Sequence, residues 1–186
     1  MKKLCVVLLC MFFLCGCASS DSELDGALDL RQRMESSQKC QFICKITADY
    51  TDKLYTFSMD CTYDKAGTMQ FSVLSPESIT GITGCFDREG GKLTFDDQVL
   101  LFPMLAEGQL SPVSAPWLFV KTMLGGYIRG CEKEGDNIHL MIDDSYQENA
   151  LQADVWTDSS FTPYYCEFLW QGRRILSMQI ESFSCL

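Results

Sequence analysis

From Cys40 onward the chain alternates with a period of two. Cys40, Phe42, Cys44, Ile46 and Ala48 share one face of an extended segment, while Gln41, Lys45, Thr47 and Asp49 take the other. Successive side chains of a strand point to opposite faces, so this is the pattern of a half-buried β-strand. The alternation returns in Tyr55, Phe57, Met59, Cys61 and Tyr63 after a turn near Thr51-Asp52, and the two runs form a hairpin. Met69-Phe71-Val73 adds a third strand, which Pro76 ends because it has no N–H for a ladder. Ile79, Ile82 and Phe86 suggest a fourth, broken by Gly81 and Gly84. Gly90-Gly91 then turns the chain into Lys92-Leu93-Thr94-Phe95, and Asp96-Asp97 is a further turn. Five more strand patterns follow at Tyr127 to Lys133, Ile138 to Ile142, Leu151 to Thr157, Tyr164 to Gln171 and Ile175 to Phe183. The clearest hairpin turns among them are Gly135-Asp136-Asn137 and Gln171-Gly172-Arg173.

Two segments break this period. Leu24, Ala27, Leu28, Leu30, Arg31 and Met34 recur at helical spacing and predict an amphipathic helix ending near Ser37. Farther on, Ser114 is placed as an N-cap, Pro116 suits a first turn, Trp117 to Leu124 is almost continuously apolar, and Gly125-Gly126 stops the segment. Between strands and second helix, Val99 to Ser114 is irregular and reads as a loop or flap. Nine or ten sequential antiparallel strands tend to curl, and only two helices are available to cover them. The expected fold is therefore α+β: a strongly curved antiparallel sheet, an unclosed half-barrel, with both helices packed on its concave face.

The N-terminus points to export. Lys2 and Lys3 precede an unbroken apolar run from Leu4 to Leu14. A helix of that length reaches only roughly 16 Å, about half a hydrocarbon core, so the run is read as a cleaved signal and not as a span. Leu14-Cys15-Gly16-Cys17 resembles a lipobox, which places the cut before Cys17 and makes Cys17 the acylated residue. Residues 1-16 are then signal peptide, 17-25 a lipidated cysteine with a short acidic tether, and 26-186 a single domain. Losing Lys2 and Lys3 moves the net charge from -10 to -12, with 25 acids against 13 bases. So acidic a body makes nucleic acid an unsuitable partner, and it is repelled by anionic lipid, so membrane attachment falls to the acyl chains.

Seven cysteines lie beyond Cys17, an odd number that cannot all pair internally. A chain this rich in apolar residues needs no disulfide framework, so most are expected as reduced core thiols, with one or two disulfides left open. Cys40 and Cys44, four apart on a strand, stand about 13 Å from each other and cannot share a metal ion. The single histidine, His139, alternates away from Ile138, Leu140 and Ile142, as a solvent-facing or hydrogen-bonded strand histidine does. Asp96-Asp97 and Asp143-Asp144 sit at turns and point to opposite faces, which does not suit paired-carboxylate chemistry. No phosphate loop or dinucleotide fingerprint is present. The expectation is a protein without catalytic residues, metal or cofactor.

The order of tether, amphipathic helix, strand meander, central helix and terminal strands resembles the LolA/LolB-like lipoprotein fold. Local support comes from Phe71-Ser72-Val73-Leu74-Ser75-Pro76-Glu77-Ser78-Ile79-Thr80-Gly81, from Lys92-Leu93-Thr94-Phe95-Asp96, and from Thr162-Pro163 before Phe168-Leu169-Trp170. These are similar to clostridial lipoproteins of that superfamily, germination lipoproteins among them. The resemblance implies an extracytoplasmic, lipid-anchored protein, placed at the outer membrane if the source has two membranes. It implies two functions. One is an interaction module for an envelope or cell-wall protein, with a peptidoglycan amidase of spore cortex processing as partner. The other is a carrier of a hydrophobic, acyl-chain ligand in a concave cavity. Tyr55, Phe57, Phe71, Phe95, Trp117, Trp156, Phe168 and Trp170 are the candidate lining of that cavity; equally, they could be core beneath the helices.

Overall fold

A computed structural model describes residues 20–88, 90–94 and 110–186. The signal segment, the Cys17 lipidation site, Phe95 and most of the segment read as a flap lie outside the described residues. The chain begins with helix α1 (Ser20–Ser36), followed by β1 (Lys39–Asp49), β2 (Leu54–Asp64) and β3 (Met69–Ser75). Strands β4 (Thr83–Asp87) and β5 (Gly90–Thr94) complete the first half. Helix α2 (Ala115–Gly125) precedes β6 (Tyr127–Glu134), β7 (Asn137–Asp143), β8 (Gln152–Thr157), β9 (Pro163–Trp170) and β10 (Arg173–Cys185). All ten strands form one antiparallel sheet in the order β5-β4-β3-β2-β1-β10-β9-β8-β7-β6. The two halves thus join where β1 pairs with β10, and β5 and β6 end the sheet without pairing to each other, leaving it unclosed.

Curvature comes from bulges. The β1–β10, β9–β10, β2–β3, β6–β7 and β8–β9 ladders each skip a residue, at Glu181, Ile175, Leu74, Arg129 and Tyr164. An extra residue on one strand bends it and increases its local twist, which is how a long meander rolls into a half-barrel. Across the inner face, the predicted alternation holds: Cys40, Phe42, Cys44, Ile46 and Ala48 are buried on β1, and Phe57, Met59 and Cys61 on β2. Phe119 of α2 is fully buried against them, edge-on to Phe42 at 5.8 Å between ring centres.

The helices differ from expectation at their starts. α1 begins at Ser20, taking residues 20–25 out of the segment assigned to a tether. Ser114 does not cap α2: its backbone is helical and its hydroxyl donates to the Ser111 carbonyl, because a 3-10 turn at Pro112–Ser114 already leads into the helix. The fourth strand is also shorter than predicted, since Ile79 belongs to a 3-10 turn (Glu77–Ile79). Gly90 and Gly91 lie within β5 and not in the turn before it. The Phe86 ring lies over Gly91, and the Phe71 ring over Gly84 on the neighbouring strand, where any Cβ would overlap them. Glycine there lets a cross-strand aromatic cover the backbone.

One disulfide joins Cys40 to Cys185, directly opposite each other on β1 and β10 and 145 residues apart in sequence. It ties the first strand to the last. Cys44, Cys61 and Cys166 are buried thiols, and burial holds the Cys61 and Cys166 thiols well above the ordinary thiol range, with the hydrogen bond between Cys44 and Cys61 adding to the shift of Cys61. No helix among the described residues is long and apolar enough to cross a membrane.

Candidate functional site: a cavity at the mouth of the half-barrel

Helix α1 is anchored across the end of α2. Arg31 donates from Nε to the Met123 carbonyl at 2.7 Å and from Nη2 to the Gly126 carbonyl at 2.9 Å, filling two acceptors that the last turn of α2 leaves open. This fixes the C-terminal end of α1 near that of α2. Between them and the start of β1, the end of β2 and the β4–β5 turn lies a cavity of about 580 Å³. That volume falls within the roughly 300–1,000 Å³ typical of small-molecule sites.

Its lining is graded. Met34 and Cys40 are buried, Trp117 and Leu124 of α2 are half-buried, and Tyr63 closes one side. The exposed rim carries Lys39, Lys65, Arg88 and Lys121, against the acids Glu35 and Asp64. The Lys121 ammonium lies 5.3 Å from the centre of the Trp117 ring, within cation–π range. Burial raises the Tyr63 pKa while Arg88 opposes it, which places the Arg88 charge near the phenol.

The predicted lining residues separate into several groups. Among the described ones, Trp117 alone lines this cavity. Phe57, Phe71, Phe168 and Trp170 are buried in the core. Tyr55 is 44% exposed and packs edge-on to Tyr50 at the β1–β2 hairpin tip. Phe95 lies outside the described residues. Trp156 is on the outer face, because Ala153, Val155 and Thr157 take the inward positions of β8. There its ring is parallel to His139, 4.3 Å between centres and 4° between planes, and its Nε1–H donates to Glu134.

His139, read as a solvent-facing or hydrogen-bonded strand histidine, stands on the outer face of β7 between two carboxylates. Its Nδ1 is 3.2 Å from Glu134 and its Nε2 is 3.8 Å from Asp154, so both nitrogens face carboxylates. Desolvation raises the Asp154 pKa, with His139 and Arg129 opposing. No cluster of three metal-ligating side chains occurs among the described residues.

No family model and no curated protein matches the sequence. Solved structures do align with it over most of both chains. An uncharacterized conserved protein from Thermus thermophilus aligns at 12% identity over 88% of this chain and 87% of its own, with a TM-score of 0.49. A LolA superfamily protein from Nitrosomonas europaea aligns at 11% identity over 91% and 94%, with a TM-score of 0.44. A DUF1329 family protein from Desulfovibrio piger aligns at 9% identity over 89% and 92%, with a TM-score of 0.42.

The rim was missed by sequence reasoning. Lys39, Lys65, Arg88 and Lys121 come from four places on the chain, with no shared motif or spacing. Only the meeting of α1, α2 and the first-half strand ends groups them.

Proposed function

We propose that the protein is a lipid-anchored, non-enzymatic envelope protein that binds an acyl-chain ligand in the mouth cavity. The observation that carries this is the graded lining: Met34, Trp117 and Leu124 offer an apolar interior that opens to solvent between the two helices. Apolar surface left in a concave site is what an alkyl chain would cover. The rest of the concave face is filled by its own side chains, so the ligand enters at the mouth and not along the whole sheet.

The interaction-module reading, with a peptidoglycan amidase as partner, rests on the sequence resemblance alone. An unpaired sheet edge would favour it, and of the two terminal strands β6 is contacted by α1.

The test uses the full mature chain, purified in mild conditions and titrated with lauric acid by native mass spectrometry. One bound molecule per chain is expected, and Leu124→Trp, which fills the cavity, should abolish it with unchanged melting temperature. A chain that takes up no acyl compound sinks the proposal. Anchoring at Cys17 is tested separately by radioactive palmitate, which should label the protein and not its Cys17→Ser variant.

A further inference from the structure

The charge of the cavity runs against that of the molecule. The chain carries a net charge of -10, yet four of its 15 bases gather on this one rim beside two acids. Neutralisation of nearby negative charge is the ordinary explanation, since Glu35, Asp64 and the C-terminal ends of both helices lie here. Two observations stand against it. Lys39, Lys65 and Lys121 form no ion pair among the described residues. At the end of α2 the Met123 and Gly126 carbonyls already accept from Arg31.

We infer that the ligand is an anionic amphiphile, its single acyl chain against Met34, Trp117 and Leu124 and its carboxylate or phosphate head among Lys39, Lys65, Arg88 and Lys121. This rests on the acyl-binding reading above and adds the head group to it. Range decides whether an anion can approach so acidic a body. At physiological salt the Debye length is about 8 Å, so distant carboxylates are largely screened while bases lining the cavity act at contact. The Lys121 ammonium, 5.3 Å from the centre of the Trp117 ring, sets positive charge directly beside the apolar wall. Hydrogen bonds from such groups to an anion are the stronger, charge-assisted kind.

The experiment compares ligands with one tail and different heads on the full mature chain: laurate, 1-lauroyl lysophosphatidic acid and the neutral 1-lauroylglycerol, with inorganic phosphate as a tailless control. All are titrated below micellar concentrations at low and high salt. The anionic pair is expected to bind at least about ten-fold more tightly than the neutral ester, with an advantage that shrinks as salt rises. Lys39→Gln with Lys65→Gln, both exposed, should remove about ten-fold or more of that advantage, leaving 1-lauroylglycerol binding and the melting temperature unchanged. Equal affinity for neutral and anionic heads would overturn the head-group assignment while leaving an acyl-binding protein. Phosphate binding as tightly as the lysophosphatidate would show an anion site without a chain and overturn the amphiphile. No binding by any tailed ligand would remove the acyl reading and this inference with it.

Discussion

Arg31 on α1 and Gly126 beyond the end of α2 are joined by a hydrogen bond of 2.9 Å, although 95 residues separate them in sequence. With the second bond to Met123, one guanidinium serves two carbonyls. Burial pulls the Arg31 pKa down and Glu35 pushes it back. Replacing Arg31 by Met should cost about 1.5–3 kcal/mol, because two carbonyls lose a charged donor. Arg31→Lys should not restore it, since a single ammonium cannot reproduce the fork. Chemical denaturation of the three proteins measures this, and a lysine variant as stable as the parent would contradict it. Acyl binding should fall with the same variants, as this contact sets the cavity between the helices.

Gly26 lies inside α1, where alanine would ordinarily stabilise a helix by about 1 kcal/mol. Here the opposite is expected. The Phe161 ring, from the loop between β8 and β9, rests on the glycine so closely that a Cβ would overlap it. Gly26→Ala should destabilise by about 1–3 kcal/mol through overpacking. The pair Gly26→Ala with Phe161→Leu should recover part of the loss, and thermal melts of the single and double variants decide.

Asp154 gives a pH dependence of definite sign. Its pKa is raised in the folded protein, so the fold binds a proton more readily than the unfolded chain does. Stability attributable to this group is therefore greatest when it is protonated and falls as pH rises from the ordinary carboxylate value through the raised one. Asp154 Oδ1 and His139 Nε2 are both buried without hydrogen-bond partners, so an amide at position 154 could donate to the imidazole. Asp154→Asn should melt higher than the parent at pH 7, with the gap closing on acidification toward pH ~3.9. A gap independent of pH would refute the assignment.

The Cys40–Cys185 disulfide closes nearly the whole domain. Long closed loops constrain the unfolded chain most, so Cys40→Ala with Cys185→Ala should lower stability by about 2–5 kcal/mol. Reductant should lower the parent's melting temperature and leave the double variant's unchanged. Alkylation of the unfolded but unreduced chain should modify Cys44, Cys61, Cys85, Cys131 and Cys166 and spare the bonded pair.

The sequence by itself determined where most strands lie and which face of β1, β2, β3, β7 and β8 is apolar, because strand periodicity is a local, steric property of the chain. β10 shows where local information ends: Leu176, Met178 and Ile180 point inward, then the bulge at Glu181 resets the count before Phe183 and Cys185. Trp156 is legible as outward, because it alternates with Ala153 and Val155, which take the inward positions of β8. Tertiary structure alone decided that Cys40 meets Cys185, that aromatic core fills most of the concave face, and that four bases from distant segments surround one cavity. Those outcomes depend on how the ends of remote elements converge, and convergence is set by bulges, curvature and the Arg31 contact between helices, none of which leaves a periodic trace in the sequence.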